Sequence, residues 1–130
     1  MAVHIKLTSV IVDDQKKALN FYTDILRFVK KMDIPMGPDH RWLTVVSAAA
    51  PDGAELVLEP NANPAAQAYQ QALFAQKIPL TMLFAEDLNV EHARLAGLGV
   101  AFTMLPTAMP WGQMSVLNDT CGNLIALAQV

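Results

Sequence analysis

Few side chains in this 130-residue sequence have chemistry to offer. The candidates are three histidines (His4, His40 and His92), a single cysteine (Cys121) and Glu59, a carboxylate set in the apolar run Leu56-Val57-Leu58-Glu59-Pro60. Two readings of Glu59 stay open. If it faces a cavity near its rim, apolar surroundings raise its pKa and make it a general acid or base. Otherwise it ends its strand in solvent or pairs with Arg41. His40 lies in the loop before Trp42, either overhanging a pocket or solvated, and His92 reads as surface on a helix. Cys121 precedes Gly122 in a turn and reads as structural. One thiol makes neither an internal disulfide nor a zinc site. No Ser/His/Asp order, Cys/His pair or Gly-rich phosphate loop stands out for nucleophilic catalysis.

The elements that must position these groups come in two copies. At an offset of 73, Asp13-Asp14 falls on Glu86-Asp87, Tyr22 on Leu95 and Ile25 on Leu98. At an offset of 69, Trp42 falls on Trp111, Gly53 on Gly122, Leu56 on Ile125 and Leu58 on Leu127. A unit of strand, helix and further strands used twice implies two half-sheets around one shared pocket. Residues 4–12 read as a strand ending in Val-Ile-Val, followed by an Asp N-cap and a helix over about 14–26 with apolar residues at helical spacing. Strands follow at 28–35, 41–48 and 55–59, the last entered by the Pro51-Asp52-Gly53 turn and stopped by Pro60. A helix opened by Asn63-Pro64 runs to about Gln76 and reads as a connector. The second half repeats the order, with a strand at 79–85, a helix at about 88–97, and strands at 100–105, 113–118 and 124–129. Thr107 to Gly112 reads as the turn before the seventh strand. The expectation is one domain, with a first module over about 4–60, a helical connector over about 61–78 and a second module over about 79–130.

Composition narrows the function classes. Hydrophobic residues make up 53% and charged residues 16%, an apolar balance that an obligate dimer or a large apolar pocket would absorb. A net charge of −3 with no basic stripe argues against nucleic-acid binding. No leader opens the chain, and no apolar run approaches the roughly 18 residues of a membrane span, so a reducing cytoplasm is the expected setting.

Val12-Asp13-Asp14 with Asn20-Phe21-Tyr22-Thr23-Asp24-Ile25-Leu26 resembles the first strand and helix of the vicinal oxygen chelate superfamily. That group holds glyoxalase I, extradiol dioxygenases, fosfomycin-resistance transferases and bleomycin-binding proteins. Asp87-Leu88 with Leu95 to Gly99 is similar to its second helix. Asp119-Thr120-Cys121-Gly122-Asn123-Leu124-Ile125 is similar to its Asp-Pro-Asp-Gly-Asn closing turn, with Thr120-Cys121 in place of Pro-Asp. Arg27 stands where a glycine usually follows the first helix. The resemblance implies an α+β fold of two tandem βαβββ modules, a curved mixed sheet around a shared cleft, and is nearly silent on the reaction.

The family's enzymes hold a divalent cation as Lewis acid. The resemblance implies ligand positions at Leu7, Val57, Leu80 and Ala126, none of which offers an oxygen or nitrogen donor. A shift of two residues would offer Glu55 or Glu59 with Ser9 and Met82, a poor set for first-row metals. His4 has the wrong parity relative to Leu7. No metal and no cofactor are therefore expected. Alternation from Leu7 and Val57 places Ile5, Ser9, Ile11, Glu55, Glu59, Leu80, Met82, Phe84, Leu124, Ala126 and Ala128 on the cleft face. Trp42 and Thr44, with Trp111 and Gln113 at the 69 offset, join them, as do Met36, Met104 and Met109 from strand ends and turns. These walls suit a small hydrophobic or aromatic molecule, and alternatively they fill a core or a dimer seam. Three functions follow: a metal-free binding protein, a homodimer by the family's habit; a lyase, isomerase or dioxygenase acting through a metal or through Glu59 and His40; and an interaction subunit with a vestigial pocket.

Overall fold

A computed structural model describes residues 1–130, which divide into two compact units, Met1–Ala62 and Asn63–Val130. The first runs β1 (Leu7–Val12), α1 (Gln15–Asn20), β2 (Val29–Pro35), β3 (Arg41–Val46) and β4 (Glu55–Pro60). The second runs α2 (Pro64–Ala75), β5 (Thr81–Phe84), α3 (Leu88–Gly97), β6 (Phe102–Met109), β7 (Gly112–Asn118) and β8 (Leu124–Gln129). Each unit holds a four-stranded mixed sheet, ordered β1-β4-β3-β2 and β5-β8-β7-β6. The first strand of each lies parallel to the last and the other pairings are antiparallel. No helix is long and apolar enough to cross a membrane.

The duplicated aspartates do the same work twice. Asp14 accepts from the amide of Lys17 at 3.0 Å and Asp87 from that of Val90 at 3.2 Å, so each N-caps the helix after the first strand of its unit. Asn63 caps α2 through Ala65, with Pro64 at the first helical position. The helix expected over 14–26 changes character halfway. Beyond Asn20 it widens into a π-helical turn, Phe21–Ile25, closed by the Leu26 amide on the Phe21 carbonyl at 3.1 Å. Arg27 then adopts a left-handed φ of 66°, and the Phe28 amide returns to the Tyr22 carbonyl.

Packing follows sheet parity. In the first unit Val10, Val12, Leu43, Val45, Leu56 and Leu58 form the helix side with Ala18, Phe21 and Tyr22, all buried. In the second, Leu117, Ile125 and Leu127 do so with Leu88 and Leu95. Each such Val, Leu, Ile or Phe side chain contributes roughly 1.5–3 kcal/mol on burial. Several strand boundaries differ from expectation, two of them by at least three residues. β1 begins at Leu7, leaving His4 exposed before it. β6 continues to Met109, so Thr107 to Met109 are strand and only Pro110-Trp111 form the turn. Pro106 is tolerated because β6 is a sheet edge and its ladder shifts between Met104 and Thr107.

The helix α2, expected as a connector, is tied into the second unit. Gln70, its one buried residue, donates from Nε2 to the Cys121 carbonyl and to Asn123 Oδ1, both at 3.0 Å. Asp119 Oδ1 accepts from the amides of Cys121 (2.7 Å) and Asn123 (3.1 Å), while Asn123 Nδ2 donates to Asp119 Oδ2. Asp119, Gly122 and Asn123 thus make a closed turn, and Cys121 is buried within it.

Candidate functional site

In each unit one sheet face lies opposite the helix, and most of the residues expected at the cleft fall on it. Across the first sheet, register sets Ser9, Val57, Thr44 and Met32 in one row and Leu7, Glu55, Val46 and Val29 in the next. Trp42 follows Thr44 on the same side, opposite Ile34. Leu7, Trp42, Thr44 and Val57 therefore share one face. Met32 and Ile34 belong to it as well, which only the pairing of β2 with β3 discloses.

The polar centre of that face is a hydrogen-bonded chain. The Met32 amide, at the irregularity in β2, donates to Thr44 Oγ1 at 3.2 Å. The Thr44 hydroxyl in turn donates to Glu55 Oε1 at 2.8 Å. Thr44 is fully buried and Glu55 only 6% exposed. No cation lies against this carboxylate. Holding an unpaired carboxylate out of water costs several kcal/mol in general.

The acid–base candidates stand elsewhere. Glu59 is exposed at the end of β4. It does not pair with Arg41, whose guanidinium grips Asp33 through two hydrogen bonds, Nε to Oδ1 at 2.7 Å and Nη2 to Oδ2. Arg41, with help from Lys30, holds the Asp33 carboxyl below its usual range. His40 is exposed and lines a polar depression of about 340 Å³ with Asp13, Asp14, Lys16, Asp39 and Arg41. Beside it Gln15 clamps the start of α1 to the sheet, donating to the Arg41 and Leu58 carbonyls at 2.8 Å and accepting from the Arg41 amide.

The second unit's open face is mostly apolar, with Thr107 and Asn118 as its polar members. Met82, Ala126, Val116 and Met104 form one row, and Phe84, Ala128, Met114 and Thr107 the next. Met109 stands opposite Gly112 on the same side. Leu80 enters through its amide on the Leu124 carbonyl at 2.8 Å. Buried alanines thus form a floor, with half-exposed methionines and Phe84 standing along it. Met114 and Val116 were not anticipated here, and Gln113 was. The 69 offset holds for β4 and β8, where Val57 matches Ala126. Their neighbours Thr44 and Val116 are 72 apart (116 − 44), and the odd difference reverses the face. Gln113 pairs with Gln129, whose Oε1 accepts from the Leu88 amide at the start of α3. Gln113 therefore lies on the helix side. Trp111 sits half-exposed in the hairpin turn and is no structural mate of Trp42. His92 is also on the helix side, half-buried with its ring centroid 4.4 Å from that of Phe102 in an edge-to-face arrangement, and its buried Nδ1 has no partner.

A divalent cation finds no donors at the positions that the family resemblance implies. Leu7 and Val57 share the first face, Leu80 and Ala126 the second, and all four side chains are hydrocarbon. No group of three or more His, Cys, Asp or Glu side chains stands ready to hold a metal ion. These residues do not fit a divalent cation.

Comparison with known proteins agrees with this architecture. The family model described as Glyoxalase/Bleomycin resistance protein/Dioxygenase superfamily matches residues 3–127. YurT of Bacillus subtilis (strain 168) is 49% identical over 125 residues, covering 96% of this chain and 98% of its own. The crystal structure of UcmS2 superposes with a TM-score of 0.83 at 28% identity, covering 98% of each chain. TnmS3, an antibiotic binding protein from Streptomyces sp. CB03234, gives 0.77 at 34% identity, covering 99% of this chain and 98% of its own.

Proposed function

The chain belongs to the glyoxalase/bleomycin resistance protein/dioxygenase superfamily, and from that premise we propose that it is a metal-free binding protein for a small hydrophobic or aromatic molecule. The observation that carries this reading is the second unit's open face, where methionines and Phe84 stand over an alanine floor. Thioethers adapt to a guest's outline, and small floor residues let a flat ring approach the strands closely. Trp42, on the first unit's open face, is by itself a surface on which a ring can stack. The 34% identity to an antibiotic binding protein supports the same class of guest. Capture of this kind requires no chemistry, which accords with hydrocarbon side chains at the implied ligand positions. A homodimer and a reducing, cytoplasmic setting complete the proposal, the latter resting on a lone buried thiol.

Titration of the protein with a panel of aromatic antibiotics tests it. At least one should quench the emission of Trp42 and Trp111 saturably, with affinity on the order of micromolar. EDTA treatment should leave that affinity unchanged. A panel with no saturable response, or binding restored only by a divalent ion, sinks the reading.

A further inference from the structure

We propose that Glu55 is a preset anchor for a protonated amine on an otherwise apolar, flat ligand. The inference rests on the binding reading above and deepens it by naming the polar group the guest must carry. Its starting point is a carboxylate 94% removed from solvent with no lysine, arginine or histidine against it, on the same sheet face as Trp42. Buried charges are as a rule paired, so one held without a partner points to a partner that arrives later. The surroundings are built to hold it. The Met32 amide occupies the Thr44 oxygen as acceptor, which leaves the Thr44 hydroxyl proton to be given to Glu55 Oε1. That single direction of donation fixes one carboxylate oxygen and leaves the second free to accept from a guest. The second oxygen accepts no hydrogen bond within the chain yet is not sealed off, since His92 Nδ1 is the one fully buried side-chain atom left unsatisfied. A protonated amine on a ring resting against Trp42 would supply the missing charge through a charge-assisted hydrogen bond.

The second unit shows the contrast. Leu124 stands beside Ala126 as Glu55 stands beside Val57, each two residues earlier on its strand and on the same face. The first unit's open face therefore offers a charged anchor that the second unit's face lacks at the equivalent position.

Isothermal titration with 9-aminoacridine, which is cationic near neutral pH, and with neutral acridine tests this. The wild-type protein should prefer 9-aminoacridine at least about tenfold, and Glu55→Gln should abolish the preference while leaving acridine affinity unchanged. Thr44→Val, which releases the carboxylate but keeps its charge, should lose part of the preference. Thermal unfolding provides a second readout, because removing an unpaired buried charge should raise the melting temperature of Glu55→Gln as binding falls. A preference that survives Glu55→Gln, or a wild-type protein that binds both compounds equally, overturns the anchor alone. If neither compound binds the wild-type protein, the binding reading fails and the anchor with it.

Discussion

Arg27 shows how a single residue carries a cost that the fold accepts. After the π-helical turn the chain must reverse into β2, and the left-handed φ of 66° lets the Phe28 amide reach back to the Tyr22 carbonyl. A residue with a Cβ holds that conformation at a penalty of roughly 1–2 kcal/mol, which glycine avoids. Arg27 is exposed, so little packing is lost with its side chain. Arg27→Gly should therefore stabilise the protein by up to about 1 kcal/mol in urea denaturation, offset in part by the greater freedom of glycine in the unfolded chain. A destabilised variant would mean that the arginine side chain makes a compensating contact. Sequence alone marks this position as a departure from the family pattern. What it does not show is the backbone angle, which depends on the widened turn before it.

Among the elements, α2 depends on one side chain. Gln70 spans from the helix to the turn at Cys121–Asn123, and its amide occupies the space a Cβ on Gly122 would need, at 2.8 Å from Nε2 and 3.0 Å from Cδ. Gly122 also has a φ of 95°, which a side chain disfavours. Gln70→Ala should cost about 1–3 kcal/mol by leaving buried acceptors unmet, and Gly122→Ala should cost at least as much by displacing Gln70. Together the two should cost clearly less than their sum, because they disrupt one contact. Full additivity in denaturant melts would show that the turn and the helix are independent. The sequence displayed the local half of this organisation well. Asp14 and Asp87 are legible as caps because capping needs only three neighbouring residues. The pairing of β7 with β8 is not legible in that way. An offset true for Val57 and Ala126 fails at Thr44 and Val116, and a shift from 69 to 72 moves Gln113 off the proposed face and brings Met114 onto it. Burial of Glu55 is equally hidden, since alternation assigns a face but not what shields it.

At the scale of the whole molecule, each unit leaves its first strand unpaired on one side. β1 and β5 are edges of their own sheets, and their open faces expose Leu7, Met82 and Phe84. Edge strands of monomeric proteins are usually blunted by lysine, proline or a bulge. β5 (Thr-Met-Leu-Phe) carries none of these, and β1 (Leu-Thr-Ser-Val-Ile-Val) is uncharged along its length. Such edges fit the proposal that a second copy of the chain completes the protein. Sedimentation equilibrium should then give about twice the 14.2 kDa chain mass. The double substitution Met82→Lys with Phe84→Lys should shift the protein toward the single-chain mass, because two buried ammonium groups along one edge oppose association. If the site requires both copies, quenching of the tryptophans by aromatic guests should fall in parallel with dimer content, and dilution of the wild-type protein should reproduce that fall. A wild-type protein that sediments as a single chain and still binds its guests would instead place the whole site within one copy, leaving the bare edges of β1 and β5 without a role in assembly.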